Sequence, residues 1–161
     1  METIAEASGV GIGTLYRNFA DRLALVEEVT LVMLEDIRSA SQQAIERLGA
    51  NDAEGWDLLL GTLIEQNLGA LSEALGLQLP KNVSPRILEA QTEAAKTLNS
   101  ALELAKSAQL LRTDISGLEL IATVGSMTRP LPRAFSKSQP GLEERIVQIM
   151  RDGLRPQPAQ N

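Results

Sequence analysis

The chain has 161 residues, 43% of them hydrophobic, enough for a real core and too many for wholesale disorder. It contains neither Cys nor His, which excludes disulfides and thiolate metal sites, removes most nucleophile–base pairs and leaves only carboxylate chemistry. The net charge of −6 argues against a protein that coats nucleic acid, but DNA contact depends on a local patch and not on the total.

Tyr16, Phe19, Trp56 and Phe135 are the only aromatics; Leu and Ala dominate and β-branched runs are nearly absent. That balance favours helices over sheet, and an all-α fold is expected. No apolar run reaches the roughly 20 residues needed to span a bilayer, and no signal-peptide pattern opens the chain, so a cytoplasmic protein without membrane partners is expected.

In chain order, residues 2–8 read as a short helix stopped by Gly9-Val10-Gly11, and a second short helix follows from Ile12 to Phe19. Asp21 is a candidate N-cap for a long helix reaching about Leu48, with Leu25, Val26, Val29, Met33, Ile37, Ala44 and Ile45 at helical spacing. The next helix starts near Asp52 and carries one apolar stripe from Trp56 through Leu59, Leu63, Leu68 and Leu71 to Leu75, with Gly76 as its cap. After a loop over 77–84 containing Pro80 and Asn82, Ser84 caps a helix whose first position is Pro85. This Ala-rich helix is expected to run to about Leu111 and, its small side chains permitting close approach, to be central. Ser116-x-x-Glu119 is a capping box opening a helix with Leu118, Leu120, Ile121, Val124 and Met127. Being apolar on nearly every side, it should be buried against its own body and against something else. Pro130, Pro132 and Pro140 bracket a loop, and a last helix from about Gly141 to Leu154 precedes a polar tail.

The stretch from Thr3 to Phe19 has the requirements of a helix-turn-helix. Ala5 is small where two helices would cross, and Gly9, four residues on, tolerates the positive φ of a tight turn. Val10, Leu15 and Phe19 can lock the second helix, which leaves Thr14, Arg17 and Asn18 pointing outward, toward a major groove. The string Ile4-Ala5 … Gly9-Val10-Gly11-Ile12-Gly13-Thr14-Leu15-Tyr16-Arg17-Asn18-Phe19-Ala20-Asp21-Arg22-x-x-Leu25 resembles the DNA-binding signature of TetR regulators. The likeness covers about the first 30 residues. The remainder is similar to the family's bodies only loosely, through the helix order, the Leu111-Arg112-Thr113-Asp114 turn and the closing Asp152-Gly153-Leu154-Arg155-Pro156.

The resemblance implies a helix-turn-helix DNA-binding head over 1–30 fused to an antiparallel helical-bundle domain for ligand binding and dimerisation over 31–161. Carried over position by position, Tyr16 and Arg22 would contact phosphates, Thr3 and Thr14 the DNA backbone, and Arg17 or Asn18 base edges or phosphate. The last two helices, about 116–128 and 141–154, would form a four-helix interface in a homodimer on a near-palindromic double-stranded operator. A small apolar or amphipathic effector would enter the body, with Trp56, Leu59, Leu63, Leu98, Leu102, Met127 and Phe135 as candidate pocket residues. Each of these is also what a plain core residue looks like. No cofactor, metal or catalytic residue is implied.

Members of the family carry a further helix ahead of the one that begins here at residue 2. It would cover Ile4, Leu15 or Phe19, whose exposure forgoes roughly 1.5–3 kcal/mol each, so the head is expected to be incomplete. The alternative function is therefore a sensor or dimerisation module that does not bind DNA. Other patterns carry less. Gly9-x-Gly11-x-Gly13-Thr14 lacks the preceding strand and following Lys of a phosphate-cradling loop. Glu27/Glu28 and Glu143/Glu144 are neighbours that diverge by about 100° on a helix, which fits a solvated face better than acid–base work. Arg129 and Arg133, beside prolines, read as surface charges that could also meet an anionic ligand.

Overall fold

A computed structural model describes residues 1–66, 84–129, 131 and 139–156. Those residues form seven helices and no strand: α1 (Glu2–Ser8), α2 (Ile12–Asn18), α3 (Arg22–Gly49), α4 (Glu54–Glu65), α5 (Pro85–Ser107), α6 (Gly117–Met127) and α7 (Leu142–Leu154). The all-α expectation holds among them. Expectations that fall on Leu68, Leu71, Leu75, Gly76, Pro80, Asn82, Pro130, Pro132, Arg133 and Phe135 lie outside the described residues.

Local chemistry sets most boundaries. Asp21 caps α3, its Oδ1 accepting the Ala24 N–H at 2.8 Å. Ser84 Oγ accepts the Ile87 N–H at 3.3 Å to open α5, with Pro85 where no N–H is needed. The capping box at α6 is complete: Ser116 Oγ accepts the Glu119 N–H at 3.2 Å, and Glu119 Oε2 accepts the Ser116 N–H at 2.8 Å.

Two expectations change. The helix expected from Asp52 begins at Glu54, because the Asp52 carboxylate accepts the Glu54 N–H at 3.0 Å instead of entering the helix. The helix expected to reach Leu111 stops at Ser107. There Gln109 adopts the left-handed conformation (φ 57°), its N–H donating to Lys106 O at 3.0 Å and that of Leu110 to Ala105 O at 2.9 Å. This is the closure usually given to Gly, and a side chain there costs about 1 kcal/mol. No Gly marks the stop in the sequence.

The core is built on α3. Ile37, Ala40, Ala44 and Leu48 face Leu59, Leu60 and Leu63 of α4 and Leu98, Ala101, Leu102 and Ala105 of α5. Leu120 and Val124 of α6 and Met150 and Leu154 of α7 complete it. Fully burying one such leucine stabilises by about 2 kcal/mol. The α3–α4 approach is close because residue 55 is Gly: a Cβ there would lie 2.9 Å from Arg47 Cβ and 3.2 Å from Ala44 O.

The side-chain links fix directions. Arg47 bonds Asp52 (2.6 Å) and Glu54 (2.7 Å), while Gln66 reaches back to Asp36 (2.8 Å), so α4 runs antiparallel to α3. Arg86 bonds Glu28 at 2.8 Å, and further along Glu93 faces Arg38, so α5 runs in the same direction as α3. Burial on α3 begins only at Ile37; none of its side chains from Arg22 to Asp36 is buried. On α6, Leu120 and Val124 face the core while Leu118, 81% exposed, points away. The expectation of burial on both sides is thus met on one side within this chain.

Candidate nucleic-acid interface

The first two helices meet through a glycine-closed turn. Gly9 sits at φ 67°, its N–H donates to Glu6 O at 3.3 Å, and the Val10 N–H donates to Ala5 O at 3.1 Å. That pair of bonds is the Schellman closure, which needs a residue free to adopt positive φ. α2 then starts on Gly11, whose carbonyl accepts from Thr14 N–H (2.9 Å) and Leu15 N–H (3.1 Å). α1 packs on α2, and each buries one residue: Ala5, expected at the crossing, and Leu15, expected to help lock the second helix. Phe19 is half-buried, whereas Val10, expected to lock α2, is exposed together with Ile4 and Ile12.

Every residue expected to reach DNA is exposed: Thr3, Thr14, Tyr16 (54%), Arg17, Asn18 and Arg22. Three of them form one small network. Arg17 Nη2 donates to Thr14 Oγ1 at 3.1 Å, and Asn18 Nδ2 donates to Thr14 O at 2.8 Å. Both side chains are thereby folded back onto the start of α2, and engaging a base edge would exchange these bonds for new ones. The local charge is not that of a basic patch. Over residues 1–22, Arg17 and Arg22 stand against Glu2, Glu6 and Asp21.

The candidate pocket residues separate into two groups. Trp56, Leu59, Leu63, Leu98 and Leu102 are at most 7% exposed and pack on one another as core. Met127, 42% exposed, instead lines an open cleft of about 470 Å³ with Ile64 of α4 and Ile146 and Val147 of α7, rimmed by Arg129, Glu143 and Glu144. Phe135 lies outside the described residues. A second concavity, of about 510 Å³, lies between the N-terminal half of α4, the turn after α5 and the C-terminal half of α7. Residue spacing gave no sign of it, because the three segments are remote in sequence; the strained Gln109 is a feature only the backbone reveals.

No His or Cys exists in the chain, and no group of three carboxylates close enough to hold a metal occurs among the described residues. No helix among them is long and apolar enough to cross a membrane. No protein-family model matches the chain, and no curated protein matches it.

Proposed function

We propose that the chain is a DNA-binding transcriptional regulator of the TetR kind, a homodimeric repressor released from a near-palindromic operator by a small molecule. The observation that carries this reading is the pair α1–α2: a glycine-closed turn, Ala5 and Leu15 buried, and Thr14, Tyr16, Arg17 and Asn18 all outward. In this reading the pair is a helix-turn-helix, Tyr16 and Arg22 position it on phosphates, and Arg17 and Asn18 read bases. Leu118 (81% exposed) on α6 and Ile149 on α7 are apolar and open in the single chain, which supports pairing of these two helices with a second copy. The effector would act by binding more tightly to a conformation whose heads are mis-spaced for one turn of DNA. Regulation without catalysis, in the cytoplasm, belongs to the same reading.

The test is fluorescence anisotropy with DNA from upstream of the protein's own gene, at several salt concentrations. Binding should weaken steeply with salt, and Tyr16→Phe and Arg22→Ala should weaken it further. A monomer by light scattering at micromolar concentration would remove the dimer from the proposal. The second reading, a sensor or dimerisation module that does not bind DNA, is favoured by the absence of positive charge balance over residues 1–22. It prevails if neither that fragment nor a genomic pool binds.

A further inference from the structure

The outward arc of α2 carries few side chains. At about 100° per residue, Gly13, Thr14, Arg17 and Asn18 share one side of the helix, and Ile12, Leu15 and Tyr16 the other. Gly11, which caps α2, is equally bare. The fold requires neither glycine. Gly11 has an ordinary φ of −62°, and Gly13 is not among the glycines of positive φ. Beyond the helix's own backbone, a Cβ at Gly11 would meet only Thr14 Oγ1, at 3.8 Å, and one at Gly13 would meet nothing within 4 Å. Glycine inside a helix is destabilising beside Ala, so bare positions with room for a methyl are not explained by packing within the chain. What they leave is a low edge on which the backbone can come close to a partner.

Three side chains on that arc remain to meet a base, and they are unequal. Thr14 is short, and its hydroxyl already accepts from Arg17 Nη2 at 3.1 Å. Asn18 gives one amide hydrogen to Thr14 O at 2.8 Å. Arg17 is the longest, is exposed, and has no acceptor among the described residues for the rest of its donors. Its bond to Thr14 lays the guanidinium back along the arc, toward the turn of helix that holds Gly13, where no side chain stands.

We infer that Arg17 is the specificity-determining residue of this head and that it reads a guanine, one in each half-site. The inference rests on the DNA-binding reading and goes beyond it in naming the base and the residue that selects it. Guanine presents two acceptors, N7 and O6, on its major-groove edge, which suit a planar fork of two N–H donors; no other base presents that pair. With Gly11 and Gly13 beside it, no further side chain on the arc competes for the groove. Sequence preference therefore concentrates on one base pair, while contacts to phosphate set the register around it.

The test is to mix the intact chain with a pool of random-sequence duplexes and sequence the bound fraction. One guanine should be strongly preferred in each half-site. Arg17→Ala should lose the preference at that position alone, and Arg17→Gln, whose amide suits adenine, should also lose guanine there. On the selected duplex, 7-deazaguanine at that position replaces the N7 acceptor by C–H. It should weaken binding of the intact chain about tenfold and binding of Arg17→Ala not at all. The one bond of Arg17 is to its own helix, and circular dichroism checks that both variants keep their helical content. A selected motif without a fixed guanine, a guanine preference that survives Arg17→Ala, an equal 7-deazaguanine penalty in chain and variant, or a loss in Arg17→Gln that is uniform across all sequences would each overturn the assignment while leaving DNA binding in place. Recovery of no duplex by the intact chain would instead remove the DNA-binding reading, and the inference with it.

Discussion

Arg86, in the first turn of α5, donates to Glu28 on α3 at 2.8 Å across 58 positions of sequence. Beside it Ser84 Oγ donates to Glu27 at 2.7 Å while also capping α5. These polar bonds join α5 to the half of α3 that has no buried side chain. Solvent-exposed pairs of this kind add little to global stability. Arg86→Ala should therefore leave the melting temperature nearly unchanged but speed amide exchange over residues 22–34, with 37–48 unaffected. The charge swap Glu28→Arg with Arg86→Glu should restore protection, whereas equal acceleration along all of α3 would show that the bond supports the whole fold.

Gly55 and Gly61 lie on the same helix and should respond oppositely to Ala. At position 55 the new methyl would press on Arg47 Cβ and Ala44 O, neither of which is the free end of a side chain. Gly55→Ala should cost about 1–3 kcal/mol in urea denaturation. At 61 no described atom lies within 4 Å, and the helix propensity gain of about 0.5–1 kcal/mol should appear instead.

Leu102 and Met127 separate packing from ligand contact. Leu102, 1% exposed in the core, should cost about 2–5 kcal/mol on truncation to Ala. Met127→Ala, at a 42% exposed residue, should cost well under half of that. A Leu102→Ala variant of undiminished stability would mean that the side chain faces a cavity instead of filling the core.

Four carboxyls are held below their usual range by hydrogen bonds to the ionised form: Glu35 by Arg38, Asp52 by Arg47 and then the Glu54 N–H, Asp114 by Arg112, and Glu119 by the Ser116 hydroxyl and then its N–H. A folded value below the unfolded one contributes stability that is complete above the unfolded value and lost as pH falls through the folded one. Stability should therefore be flat near neutrality with respect to these groups and decline below the ordinary carboxylate range. Glu119→Gln keeps the acceptor of the capping box but removes its titration, so the acid limb of a denaturation series should become shallower. An unchanged limb would show that Glu119 is not held differently in the folded and unfolded chain.

What could be read in the sequence was what is local. Asp21, Ser84-Pro85 and Ser116-x-x-Glu119 place caps through bonds spanning three residues, and each is found where the pattern put it. Gly9 likewise declares its turn, since few other residues sit easily at φ 67°. Gln109 sits in the same left-handed region without a glycine to announce it, so the end of α5 was misplaced by about four residues' worth of helix. The exposure of Thr14, Arg17 and Asn18 was legible from the apolar positions around them. The concavity beside Trp56 was not, because α4, the turn after α5 and α7, which line it, are remote from one another in sequence.

The burial pattern divides α3 in two. Its buried grip begins at Ile37, and residues 22–36, about 22 Å at 1.5 Å per residue, are tied to the body by bonds such as Glu28–Arg86 and Asp36–Gln66 and by no buried side chain. Tilting that span by about 10° about its held end moves the Arg22 end by about 4 Å, more than half of one turn's 5.4 Å rise. A shift of a fraction of an ångström around Ile37 and Ala40 is therefore magnified to several ångströms at the Arg22 end of the helix.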